Sequence, residues 1–205
     1  MYVKTMGLVD VKKMVEQHHY SKSVRGLKVS FCFGLFDNDE MIGALIFGQL
    51  STTAWRKYGD REKDVLELRR MVCVPEAPKN CCSFLISKAI KYIRRNSDAK
   101  ILVSYADPFY DHCGIAYQAA NWDYVGCTAP DMLLRDPDGK MYHSRAARTK
   151  YKGVLKPFAK RLQNLDSVGL IERVEVPGKH IYTFSLTGRH VCRTHNRYPK
   201  SARAS

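Results

Sequence analysis

"VLELRRMVCVPEAPKNCCSFLISKAIKYIRRNSDAKILVSYAD", residues 65–107, decides the fold. Its first ten residues are dense in strand-forming side chains and read as a strand. Pro75 and Pro78 then break the chain where proline is tolerated, just ahead of a helix. Ser83, Phe84, Ile86, Ser87, Ile90 and Ile93 recur at helical spacing. "AKILVSYAD" is a second long apolar run, suited to a strand buried on both faces. Strand, helix and strand in this order predict a right-handed crossover and a parallel pair.

Working outward, Leu8, Val11, Met14 and Val15 predict an amphipathic helix over 7–17. "LKVSFCFGLFD" and "MIGALIFGQL" flank "NDE" and read as a β-hairpin within a core sheet. Residues 51–64 form a polar loop long enough to be functional. After the crossover come a short helix at 114–120, a strand at 122–127 and a hairpin in "MLLRDPDGKMYHS", turning at Asp138-Gly139. A helix and two strands joined at Pro177-Gly178 follow. The expected organisation is a core over 1–143, a basic helix and β-hairpin extension packed on it over 144–186, and a flexible basic tail over 187–205.

The 205 residues suffice for one full domain with an appended segment, and the 45% apolar content argues against disorder. No run of eighteen apolar residues exists, so no membrane span is expected, and the start does not read as a signal peptide. The seven cysteines are scattered and include no CxxC pair. They read as reduced, buried thiols and offer no zinc-ligand spacing. Net charge is +14, of which residues 140–205 supply +12: fifteen Lys and Arg against three acids. This asymmetry predicts a polyanionic partner.

Three constellations carry candidate chemistry. The loop opening the crossover helix, Lys79-Asn80-Cys81-Cys82-Ser83, offers a helix N-terminus, a lysine and small side chains that permit close approach of a phosphate. Arg69 lies inside an apolar strand, so its guanidinium must be paired or face a cavity; alternation places Glu67, Arg69 and Met71 on one face. Asp107 ends a buried strand, where ligands gather in open sheets, and Tyr117 on the next helix points back toward it. A carboxylate there can take a proton from a nucleophilic amine, and a tyrosine can return one to a leaving group. The competing reading makes Asp107 a cap and Tyr117 core. His19 and Tyr20, near Asp111 and His112, are a further polar cluster able to offer metal ligands.

The element order and the phosphate-type turn resemble the GNAT N-acetyltransferase superfamily. That likeness implies an α/β (α+β) fold with a mixed central sheet flanked by helices, here with a basic β-rich C-terminal extension. "PKNCCS" lacks the spaced glycines usual in that superfamily's pyrophosphate turn. More specifically, "HYSKS", "LELRRMVCVPEAPKNCCSFLISKAIKYI", "LVSYADPFYDHCGIAYQAANWDYVG" and "GKHIYTF" resemble the Mom DNA-modification family of bacteriophage Mu and its relatives, over about residues 18–186. The resemblance implies conversion of adenine to N6-(carbamoylmethyl)adenine in phage DNA, which protects it from host restriction. It carries Arg69, Asp107 and Tyr117 over as the catalytic set. It brings iron in as a metal, with His19 and Tyr20 as its pair, and it places the protein in the cytoplasm of the infected host. The donor expected is acetyl-CoA-type or glycine-derived.

Under this reading double-stranded DNA is the partner, and a homodimer would suit it. The target adenine must leave the stack to reach a pocket. Trp55, Tyr58, Phe109 and Tyr110 are candidates to stack on it. Arg145, Arg148, Lys150, Lys152 and Lys179 are candidates to hold the phosphate backbone. The alternatives are a GNAT acyltransferase acting on a protein or small-molecule amine, and a DNA-binding module without catalysis.

Overall fold

The computed structural model describes residues 1–50, 53–188 and 197–200. The chain divides into two compact units, Met1–Cys127 with His180–Ser205, and Thr128–Lys179.

The first unit is built on a seven-stranded sheet. In chain order its elements are β1 (Tyr2–Met6), α1 (Leu8–His18), β2 (Val29–Asp37), β3 (Glu40–Gln49), β4 (Val65–Cys73), α2 (Cys81–Asn96), β5 (Ile101–Ala106), α3 (Ile115–Ala119) and β6 (Asp123–Cys127). The second unit holds β7 (Asp131–Arg135), β8 (Met141–His143), β9 (Lys150–Tyr151), β10 (Val154–Leu155), α4 (Pro157–Ser167) and β11 (Glu172–Val176), after which β12 (His180–Ser185) returns to the first. The large sheet runs β1-β2-β3-β4-β5-β12-β6. Only β4 and β5 pair in parallel; the other neighbours are antiparallel, giving the mixed sheet expected from the sequence.

Alternation along the strands sorts the core onto two faces. Phe33, Leu35, Leu45, Phe47, Leu68 and Leu102 pack with Leu85, Ile86 and Ile93 of α2. Cys32, Ala44, Ile46 and Val72 face the other way and bury Val11, Met14 and Val15 of α1. The helices therefore cover opposite faces, as an apolar crossover and an amphipathic first helix require.

The crossover pairing is short. Val65–Leu68 sit opposite Ile101–Ser104, yet both strands continue, to Cys73 and Ala106. Beyond Leu68 and Ser104 they diverge and leave a wedge between their carboxyl ends. On its other edge β4 carries a bulge: Ile46 pairs with Arg70 and Phe47 with Leu68, so Arg69 is the extra residue. The bulge shifts the alternation by one. Met71 and Cys73 consequently pack against the cluster of Leu66 and Leu68, not on the face of Glu67 and Arg69 that strict alternation predicted.

Two further features differ from the sequence reading. β1 was not foreseen; it pairs antiparallel with β2 along its whole length. The strands joined at Pro177-Gly178 are not a hairpin, since β11 pairs with β7 and β12 inserts between β5 and β6. The cause is patterning: Tyr182 and Phe184 of β12 join the main core while Ile181 packs on the opposite face with Leu50, Val65 and Val103. A strand apolar on both faces belongs inside a sheet. The second compact unit spans Thr128–Lys179 and holds most of the segment expected as the basic extension over 144–186. The hairpin turning at Asp138-Gly139 stands, as β7 and β8, within that unit. There Asp136 is buried and accepts hydrogen bonds from the Asp138 and Lys140 amides, the Tyr142 hydroxyl and Arg161. Of the tail 187–205, only 187–188 and 197–200 fall within the described residues, and the Tyr198 hydroxyl donates to the Trp122 carbonyl at 2.8 Å. No helix among the described residues is long and apolar enough to cross a membrane.

Candidate active site

The wedge between β4 and β5 opens into a cavity of about 390 Å³. Residues Leu68 to Cys73 form one wall and Tyr105 to Asp107 the other, with Cys82, His19, Tyr20 and residues 111–117 completing it. The strand divergence thus brings Arg69, Asp107 and Tyr117 to one space.

Arg69 is held in two ways. Its Nη1 bonds Glu67 Oε2 at 2.6 Å and approaches the Gln49 carbonyl at 3.5 Å. Its Nε is buried and has no hydrogen-bond partner. The ion pair and the cavity-facing position, posed as alternatives by the sequence, hold together.

Asp107 is 6% exposed. It caps the short 3-10 turn Pro108–Tyr110, where its Oδ1 accepts from the Phe109 amide at 3.1 Å. Its carbonyl accepts from the Tyr110 and His112 amides, which folds the chain back toward the cavity. The cap fixes the carboxylate's orientation, so capping and lining are one arrangement.

Tyr117 is buried against Trp122 and Tyr182, with ring centroids 5.4 and 5.3 Å away, while lining the cavity. Burial raises its pKa, with Ser104 beside the hydroxyl acting in the opposite sense, so the phenol stays protonated at neutral pH. The sequence missed what seats this helix. Tyr182 of β12 donates to the Cys113 carbonyl and accepts from Gln118 Nε2 at 2.9 Å. Gly114 stands at φ +83° directly against the Tyr182 ring. No local pattern in 111–118 points to residue 182.

His19 and Tyr20 also line the cavity. Tyr20 stacks on Tyr110 at 4.4 Å and lies 5.4 Å from His112, forming an aromatic rim. His19 is 7% exposed, and its Nδ1 is occupied by the Ser21 amide and hydroxyl at 3.1 and 2.9 Å. Burial, with the nearby Arg70 and His112, pulls its pKa down to about 4. Iron on the His19–Tyr20 pair finds no support in this geometry. Among the described residues no set of three His, Cys, Asp or Glu donors forms there; the one set that does is Cys73, Cys81 and Cys82.

The N-terminal turn of α2 is as the sequence placed it. Asn80 caps it at φ +63°, Lys79 and Asn80 are exposed, and the Ser83 hydroxyl donates to the Asn80 carbonyl. Cys82 alone of this group lines the cavity. Trp55 and Tyr58 do not: they pack on the satellite core of Leu50, Val65 and Val103. Phe109 and Tyr110 are exposed, Tyr110 as part of the rim and Phe109 against it. Arg145, Arg148, Lys150, Lys152 and Lys179 are exposed on the second unit.

A sheet split at the ends of its central parallel pair, with a cavity in the split, defines an acetyltransferase-type fold. The chain is similar to a Bacillus subtilis acetyltransferase solved in complex with CoA, at TM-score 0.51 and 11% identity over 89% of this chain and 97% of that one. It is likewise similar to a Streptococcus mutans protein, at TM-score 0.50 and 12% identity over 91% and 99%. These likenesses are of fold. The model of the Mom protein family matches residues 1–200, and the chain belongs to that family. It is 28% identical over 146 residues to the methylcarbamoylase Mom of Escherichia phage Mu. The match covers 69% of this chain and 59% of that protein, so the chain spans less than two thirds of that relative's length.

Proposed function

We propose that this protein is a phage DNA-modification transferase that converts adenine to N6-(carbamoylmethyl)adenine in DNA and so shields phage DNA from host restriction. The observation that carries the reading is the convergence of Arg69, Asp107 and Tyr117 on one cavity in a member of the Mom family. An oriented carboxylate accepts the proton that N6 must lose as it forms its new bond to carbon. A protonated, buried phenol supplies a proton to the leaving group. A guanidinium steadies negative charge developing on the donor. The rim of Tyr20, Tyr110 and His112 offers a face on which an extruded base can stack. The bond formed joins N6 to the methylene of the carbamoylmethyl group, so the donor must carry its leaving group on that methylene rather than on a thioester carbonyl; if the donor has a CoA-type tail, its phosphates would lie against Lys79 and the backbone of residues 80–83, where a helix N-terminus favours anions. Double-stranded DNA would be held by Arg145, Arg148, Lys150, Lys152 and Lys179.

The test is mass spectrometry of nucleosides from plasmid DNA after expression in bacteria. A deoxyadenosine carrying the mass of a carbamoylmethyl group is the expected result. An unmodified pool, with the protein folded, would overturn the reading in favour of another acceptor.

A further inference from the structure

Three sulfurs meet at the cavity wall. Cys73 closes β4, and Cys81 and Cys82 open α2. Cys82 Sγ lies 3.5 Å from Cys73 Sγ and 3.9 Å from Cys81 Sγ, and all three fall within 4.8 Å of one another. A tetrahedral zinc ion with Zn–S bonds of about 2.3 Å sets its sulfurs about 3.8 Å apart. The two edges that meet at Cys82 thus match those of one face of such a tetrahedron, and the third sulfur pair, Cys73 and Cys81, lies within 4.8 Å. Room for it is built into the neighbouring strand. A Cβ on Gly43, which pairs with Cys73, would stand 2.8 Å from the Cys73 sulfur. Cys73 and Cys82 both line the cavity.

We propose that Cys73, Cys81 and Cys82 form a three-thiolate site for a thiophilic divalent cation of the zinc class, its fourth position open to the cavity. Three protein ligands and one open position is the pattern of a reactive zinc site rather than a closed structural one. Thiolate ligands select this class over magnesium or calcium. The N-terminus of a sixteen-residue helix favours the negative charge of the thiolates. Binding forms three Zn–S bonds and releases the three thiol protons to solvent, with no change of oxidation state. The backbone of the same turn stays available to an anion, since only side chains are engaged. The sequence hid this site because its ligands are divided between a strand and a helix, at a spacing unlike any CxxC pair.

The test uses the full chain, purified reduced and loaded with zinc(II) alone. About one zinc per chain by elemental mass spectrometry is expected. Alkylation mapping should show Cys73, Cys81 and Cys82 protected by zinc while exposed Cys127 is not. Cobalt(II) in place of zinc should give a thiolate-to-metal charge-transfer band. Cys73→Ser should weaken zinc binding by about tenfold or more, and Cys32→Ser, in a separate buried cluster, should not. Equal zinc uptake by Cys73→Ser, unprotected cysteines, or a Cys73–Cys82 disulfide in place of zinc would overturn the proposal. Should Cys73→Ser fail to fold, the wild-type cobalt spectrum decides: no charge-transfer band, no site.

Discussion

Gly114→Ala is the substitution whose cost the structure resolves most closely. Gly114 precedes α3 at φ +83°, in the left-handed region where a residue with a Cβ loses about 1–2 kcal/mol. An added Cβ would also stand 2.6 Å from Cζ and 2.8 Å from Oη of Tyr182. That ring has nowhere to go. It is fully buried, its hydroxyl is committed to the Cys113 carbonyl and Gln118, and Tyr117, Tyr124 and Tyr198 flank it. Overpacking of this kind costs about 1–3 kcal/mol, so the total should fall near 2–5 kcal/mol. Gly26→Ala is the internal control, because Gly26 has φ +73° and nothing within 4 Å of its Cβ position. It should lose only the backbone part, about 1–2 kcal/mol. Urea unfolding followed by tryptophan fluorescence reads this unit directly, since Trp122 is fully buried in it. If Gly114→Ala costs no more than Gly26→Ala, the Tyr182 ring does not hold the turn as described.

His19 makes stability depend on acid. Its folded pKa of about 4 lies below the ordinary 6.5, so the unfolded chain binds the proton first as pH falls through 6.5. The loss should grow to about 3 kcal/mol by pH 4 and then level; subtracting the profile of His19→Asn isolates it, and identical profiles would refute a buried neutral imidazole. Asp107→Asn can still accept from the Phe109 amide, so it should keep the fold while abolishing modification; full activity would remove Asp107 from the chemistry. Tyr117→Phe should slow turnover by about 10²–10⁴-fold if the phenol is the proton donor, with little change in substrate affinity. If four cations of the second unit contact phosphates, DNA affinity should fall about a hundredfold between 50 and 200 mM salt. Lys150→Gln should lower the slope of that dependence by about one; a flat salt response would refute phosphate contact.

What was legible in the sequence is the part governed by local pattern. The crossover of 65–107 follows from two apolar runs around a proline-led helix, and Asp107 follows from its place at a strand end. Arg69 was recognised because a guanidinium in an apolar strand needs a reason. Its bulge was not, since an extra residue in β4 is visible only against its partner β3. β12 reads from local pattern as half of a hairpin, since it is a β-forming segment just after Pro177-Gly178; only the apolar character of both its faces argues otherwise. The meeting of Cys73 with Cys81 and Cys82 depends on how β4 ends beside α2, which no spacing rule encodes. Gly114 likewise depends on Tyr182, sixty-eight positions away. In each miss the deciding partner lies on a different element.

The placement of β12 has a consequence for synthesis. Its neighbours β5 and β6 are translated well before it, and among the described residues β6 has no other strand to bond in the sheet. The whole second unit leaves the ribosome in between. A nascent chain can thus form the β1–β5 portion early, but the loop from Asp107 to Gly114 lacks its anchor until Tyr182 emerges. The cavity wall is completed late, after the half-built sheet has waited with an open edge. An open edge invites pairing with other chains, so slow translation through 128–179 would lower the yield of soluble protein more than the same pause placed after residue 186.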